Sequence, residues 1–113
     1  MTIGQIGLKV TDVDRAVAFY RDRVGLKFVL KAPNAAFFDC GGIRLVLAPA
    51  EGACSIYLKV DDLESAVEQL TARGISFTRA PHLVARMVDH HLWMAFFEDP
   101  DGNTLGLMCE KRR

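Results

Sequence analysis

The order of apolar and polar positions changes period within each half of this chain. From Ile3 to Val10, the residues Ile6, Leu8 and Val10 alternate with Gln5, Gly7 and Lys9, the period of two expected of a strand with one buried face. Beyond Thr11 and Asp12, which supply N-cap chemistry, Val13, Ala16, Val17 and Tyr20 fall at helical spacing, and Gly25 ends the run. Strand-like segments follow at Lys27 to Lys31, Ala35 to Cys40 and Ile43 to Ala48. The second half repeats the plan. A strand is expected from Cys54 to Val60, a helix through Leu63, Ala66, Val67 and Leu70 up to Gly74, then strands at Ile75 to Arg79, Leu92 to Glu98 and Thr104 to Cys109. The predicted unit is βαβββ, made twice.

The repeat is visible residue by residue. IGLKVTDVDRAVAFYRDR, beginning at Ile6, aligns at a constant offset of 50 with IYLKVDDLESAVEQLTAR, beginning at Ile56, and eight of the 18 pairs are identical. Duplication of one module is the simplest account of so many identities on one diagonal. FFDCGGIRLVL from Phe37 is echoed by FFEDPDGNTLGL from Phe96 at an offset near 60. The second copy therefore holds an insertion between Arg79 and Leu92, the part of a duplicated scaffold where function tends to collect.

Composition narrows the function classes. The chain has 113 residues, enough for one compact domain, with module one at about 1–50 and module two at about 51–113. Its 14 basic and 14 acidic residues cancel, so bulk charge provides no reason to expect nucleic acid or an anionic membrane as partner. No run approaches the length of a spanning helix, and MTIGQIGLKV lacks the plan of a signal peptide, so a cytoplasmic protein is expected. Cys40, Cys54 and Cys109 are odd in number and sit among apolar neighbours, which suits buried, reduced thiols.

The duplicated βαβββ pattern, GLKVTDVDRAVAFYRDRVGLKF, its second-half counterpart and FFEDPDGNTLGL together resemble the vicinal oxygen chelate superfamily of glyoxalases, bleomycin-resistance proteins and extradiol dioxygenases. The resemblance covers nearly the whole chain. It implies an α+β fold: curled mixed sheets around a concave cleft, helices on the convex side, and a homodimer. It also implies four metal-ligand positions, which here read Gln5, Val46, Ser55 and Gly106. Only Gln5 is suited to coordinate, and one neutral amide does not retain a divalent ion where about three protein ligands are the rule. Neither metal nor other cofactor is expected.

Strand alternation then assigns the cleft. If those four positions face inward, so do Arg44, Tyr57, Lys59 and Met108, leaving the apolar positions between them for the helices. The expected ligand is a hydrophobic or aromatic small molecule, contacted by Gln5, Arg44, Ser55, Tyr57 and Met108, with Trp93 as a stacking wall and the insertion from His82 to His91 as the rim. The alternative is a glyoxalase- or dioxygenase-like lyase, isomerase or oxidoreductase built at the insertion, with His90, Asp89 and Arg86 as candidate catalytic groups.

Overall fold

The computed structural model describes residues 1–49 and 56–112. Eight strands form one sheet in the order β2-β3-β4-β1-β5-β8-β7-β6. Module one contributes β1 (Thr2–Lys9), α1 (Val13–Ala18), β2 (Lys27–Ala32), β3 (Ala35–Cys40) and β4 (Ile43–Ala48). Module two contributes β5 (Ile56–Lys59), α2 (Leu63–Ala72), β6 (Phe77–Arg86), β7 (His90–Glu98) and β8 (Thr104–Arg112). The two four-stranded halves are hydrogen-bonded to each other: β1 runs antiparallel to β5, with Gln5 opposite Tyr57 and Ile6 opposite Ile56. Within each half the first and last strands are parallel neighbours, β1 beside β4 and β5 beside β8. This is the α+β fold of two βαβββ modules expected from the sequence, with its sheets fused along one seam.

Both helices start in the same way. Asp12 and Asp62 share an extended backbone at φ −132° and ψ 106°, and each carboxylate accepts the backbone N–H three residues on, from Arg15 at 3.0 Å and Ser65 at 3.1 Å. An N-cap of this kind satisfies one of the helix's orphan donors. After α1 the chain widens into a π-helical segment, Phe19–Val24, and stops at Gly25, whose φ of 83° favours glycine.

Each helix buries its own face of the sheet. Val17 of α1 packs with Ala36, Phe38 and Leu47, while Leu63, Ala66 and Leu70 of α2 pack with Ala95, Phe97 and Leu107. Phe38 and Phe97, like Leu47 and Leu107, are counterparts in the duplication. A helix seated over β3 and β4 and another over β6 to β8 leave the middle of the convex face open, so Ile3 and Leu8 remain exposed there.

Two expectations need correction. The insertion does not separate the strands expected to end at Arg79 and begin at Leu92: β6 continues to Arg86, and β7 begins at His90. Leu83 and Val84 supply strand propensity, and Pro81 lies within a register shift between Arg79 and His82, where a missing N–H is tolerated. Cys40 is exposed beside the β3–β4 turn; Cys109 is buried, and its thiol is pushed up from the ordinary range chiefly by that burial. Cys54 lies outside the described residues. No helix among the described residues is long and apolar enough to cross a membrane.

The DPDGN motif joins β7 to β8. The Asp99 carboxylate accepts from the backbone N–H of Asp101 at 2.9 Å and of Asn103 at 2.8 Å, and from the Asn103 side-chain amide at 2.7 Å. The bonds from Asn103 above all hold this carboxyl below the usual carboxylate range. Gly102, at φ 82°, completes the reversal.

The matched caps give the first test. Replacing Asp12 or Asp62 by Ala should each cost about 1 kcal/mol in urea unfolding, and because the two helices lie over separate cores the double variant should lose about the sum.

Candidate functional site

Cross-strand pairing assembles the concave face one row at a time. Arg44 of β4 stands beside Gln5 of β1, Gln5 beside Tyr57 of β5, Tyr57 beside Gly106 of β8, Gly106 beside Phe96 of β7, and Phe96 beside Arg79 of β6. One continuous row therefore reads Arg, Gln, Tyr, Gly, Phe, Arg across six strands. A cavity of about 450 Å³ lies over it, within the range of small-molecule sites. Phe37 and Arg44 line one side, and Leu83, Val84, Ala85 and Met87 from the extended hairpin line the other. The insertion thus forms a wall of the cavity.

Gly106 is the residue that shapes the centre. A Cβ placed there would lie 2.8 Å from a Tyr57 ring carbon, closer than such contacts tolerate, and 3.1 Å from one of Phe96, so the rings would have to shift. The two rings meet nearly perpendicularly with centroids 6.3 Å apart, an edge-to-face pair that contributes roughly 0.5–1.5 kcal/mol beyond area burial. Beneath them Met108, 1% exposed, packs with Leu92 and Met94. Met108 is on the concave side as expected, but it forms floor. Among the described residues Gln5 is the one buried polar side chain, 4% exposed while lining the cavity.

His82 leans on Phe96 with ring centroids 5.8 Å apart. Its Nδ1 lies 2.8 Å from the Ala80 carbonyl; a carbonyl only accepts, so Nδ1 carries the proton and Nε2 is an acceptor when the ring is neutral. His82 thus presents a fixed tautomer at the cavity wall.

Trp93 is corrected. It packs against the core beneath α2 and receives the Lys111 ammonium 4.9 Å above its ring, on the convex side of the sheet. Its neighbours Leu92 and Met94 face the cavity in its place. Ser55 lies outside the described residues.

The second candidate group is partly brought together. Asp89 Oδ1 lies 2.6 Å from His90 Nδ1, and His90 Nε2 faces Glu110 Oε2 at 3.8 Å. Glu110 is also approached by Arg44 at 3.5 Å and Lys59 at 3.9 Å. Arg86 pairs across the hairpin with His91. His90 and Glu110 belong to a mixed-charge cluster beside the cavity, and neither lines it. Apolar alternation carries the last strand only to Cys109, whereas β8 runs on to Arg112 and so brings Glu110 into the sheet.

A divalent ion of the kind the fold family uses does not fit these residues. Val46 and Gly106 carry no donor, the space at Gly106 is filled by two aromatic rings, and no group of three His, Cys, Asp or Glu side chains suited to share an ion occurs among the described residues.

A curled sheet of two βαβββ modules with an apolar cavity on its concave side is the architecture of vicinal oxygen chelate proteins. The chain belongs to the Glyoxalase/Bleomycin resistance protein/Dioxygenase superfamily, whose pattern matches residues 2–107. It is 30% identical to a glyoxylase-like domain-containing protein of Didymella fabae, over 90% of this chain and 88% of that one. It is 27% identical to the uncharacterized protein YraH of Bacillus subtilis strain 168, over 93% and 95% of the two chains. Among solved structures, a superfamily member from Vibrio splendidus 12B01 superposes with a TM-score of 0.72 at 16% identity, covering 96% of this chain and 99% of that one. The 2,3-dioxygenase LapB of Pseudomonas sp. KL28 superposes with a TM-score of 0.75 at 25% identity, covering 97% of this chain but 41% of its own.

The packing at Gly106 is open to a double-mutant cycle. Gly106→Ala should destabilise the protein by roughly 1–3 kcal/mol through overpacking. In a Tyr57→Ala background the same change should cost clearly less, because the nearest ring is gone, and urea unfolding of the four proteins reads the coupling.

Proposed function

We propose that the protein binds a flat hydrophobic or aromatic small molecule in the concave cavity, without a metal ion and without covalent chemistry of its own. The observation that carries this reading is the replacement of a ligand-bearing position by Gly106, over which Tyr57 and Phe96 close. Rings that meet edge to face offer an apolar surface against which a third ring can stack. Gln5 supplies the polar contact at the base, His82 an acceptor at the wall, and Met94 an adaptable thioether beside them. Trp93 takes no part. Residues 1–113 act in this reading as one unit in the cytoplasm.

The test is a thermal-shift screen with bicyclic aromatic compounds, neutral and charged. A molecule that binds only the folded state must raise its melting temperature by mass action. Binders should be found, Tyr57→Ala should cut the shift they induce, and Trp93→Ala, whatever it does to the starting stability, should leave that shift nearly intact. Zn, Ni, Fe and Mn salts should produce none. A shift with one of these metals that disappears in Gln5→Ala would overturn the reading in favour of metal-dependent chemistry.

The homodimer implied by the resemblance belongs to the same proposal. Its support is the open strip on the convex face, where Ile3 and Leu8 are 44% and 40% exposed between the two helices. Light scattering at tens of micromolar should give twice the chain mass of 12.5 kDa, and Leu8→Lys should shift the protein toward monomer. A strictly monomeric parent protein sinks the dimer and leaves the cavity reading untouched.

A further inference from the structure

The two charged side chains among the described lining residues, Arg44 and Arg79, are both cations. Arg44 and Arg79 stand at the two ends of the concave row, His82 lines the wall between them, and no carboxylate is among the described lining residues. A chain neutral in total thus lines this cavity with two arginines, the nearest carboxylate being that of Glu110, 3.5 Å from Arg44 and outside the lining. We infer that the ligand is a flat aromatic carboxylate, with its ring against Tyr57 and Phe96 and its carboxylate on Arg44 and Gln5. The inference rests on the reading of the cavity as a ligand site.

Of the two arginines, Arg44 is the anchor. Its side chain is 21% exposed, so its charge is only partly screened, whereas Arg79 lies in solvent at the mouth. Arg44 and Gln5 are cross-strand neighbours. A planar guanidinium beside a primary amide offers a carboxylate two parallel N–H donors and a third from the side. Both groups have capacity left. Arg44 makes one long contact, 3.5 Å from Nη2 to Glu110 Oε1, and none of the described side-chain hydrogen bonds reaches Gln5. Glu110 does not depend on Arg44, since Lys59 stands 3.9 Å from one of its oxygens and His90 3.8 Å from the other. An incoming carboxylate can therefore take the guanidinium fork while Glu110 keeps the Lys59 ammonium beside it.

The rings set the second requirement. Tyr57 adjoins Gln5 in the row and Phe96 lies beyond Gly106, so the anion site and the aromatic surface are contiguous. A carboxylate joined directly to a ring, or through one or two carbons, spans them. A long aliphatic acid would leave the ring surface unused, and an aromatic amine would bring a cation against Arg44.

Calorimetric titration with 2-naphthoate, its neutral amide 2-naphthamide and the cationic 2-naphthylmethylamine decides this. The wild-type protein should bind naphthoate at least tenfold more tightly than naphthamide and the amine most weakly of the three. Arg44→Met should bring naphthoate down to the affinity of naphthamide, leaving naphthamide itself little changed; Arg44→Lys, which keeps the charge and loses the fork, should fall between. Should Arg44→Met fail to fold, the order of the three probes on wild type and on Arg44→Lys carries the test. Equal binding of naphthoate and naphthamide overturns the carboxylate assignment while the cavity reading stands. Binding of none of the three overturns both.

Discussion

Each module covers its own sheet with its own helix, so the two helix-side cores are separate clusters with no shared buried residue. What joins the halves is the backbone seam between β1 and β5, in which Thr2, Ile3, Gln5 and Ile6 pair with Lys59, Leu58, Tyr57 and Ile56. The cavity depends on that seam. Shifting the register by one residue would turn Tyr57 to the convex side and bring Ile56 or Leu58 into the concave row. Gly4 belongs to the same constraint: it lies at a register shift between Ile3 and Gln5, and a Cβ there would meet Met108 Sδ at 2.9 Å and Lys59 Cβ at 3.0 Å. The absence of side chains at Gly4 and Gly106 lets neighbouring side chains close over the concave face.

The two faces of the sheet have diverged unequally since the duplication. Positions under the helices keep their character, with Leu47 matched by Leu107 and Phe38 by Phe97. Positions in the cleft do not: Gln5 answers Ser55, Gly7 answers Tyr57, Arg44 answers Thr104 and Val46 answers Gly106. Close packing explains the first pattern, because a change of even one methylene in a core is felt. A cavity imposes no such demand on each residue, so it is where a symmetric scaffold acquires an asymmetric chemistry. Comparison with an unrelated ligand's site therefore transfers the frame and not the contacts.

That difference also decides what could be read from the sequence. The helices, their caps and all eight strands, though not the full reach of β6, β7 and β8, follow from period and from Asp, Gly and Pro, all local signals. Gln5, Arg44 and Tyr57 were legible as cavity residues because they alternate with apolar neighbours on amphipathic strands. Trp93 was not, since LWMAFF is apolar on both faces and alternation carries no information there. Its facing is fixed by pairing with β8, where Trp93 stands opposite Cys109 and Met94 opposite Met108; the parity of Met108 was the available signal. The charged and histidine positions of the insertion from His82 to His91 are visible in sequence, while the bulges that let it pair as a hairpin are not. Leu83 and Val84 were overlooked as wall residues for that reason.

Net charge shows the same limit in another form. Fourteen cations against fourteen anions say nothing about how the fold sorts them. Asp14, Asp22 and Glu64 are drawn into exposed pairs with Lys31, Arg21 and Lys111 outside the cleft, where screening leaves each pair worth little. Arg44 and Lys59 instead gather around the carboxylate of Glu110 at the edge of a half-buried space, with His90, itself 2.6 Å from Asp89, beside it. Arg44, the less exposed of the two cations, also lines the cavity, and its partly screened charge gives that edge a preference for an anion. The apolar row of Tyr57 and Phe96 ends at that preference on one side and at Arg79 on the other. Selectivity in this cavity therefore arises from where the duplicated frame has placed its few charges, a property of the pairing register that no count of residues contains.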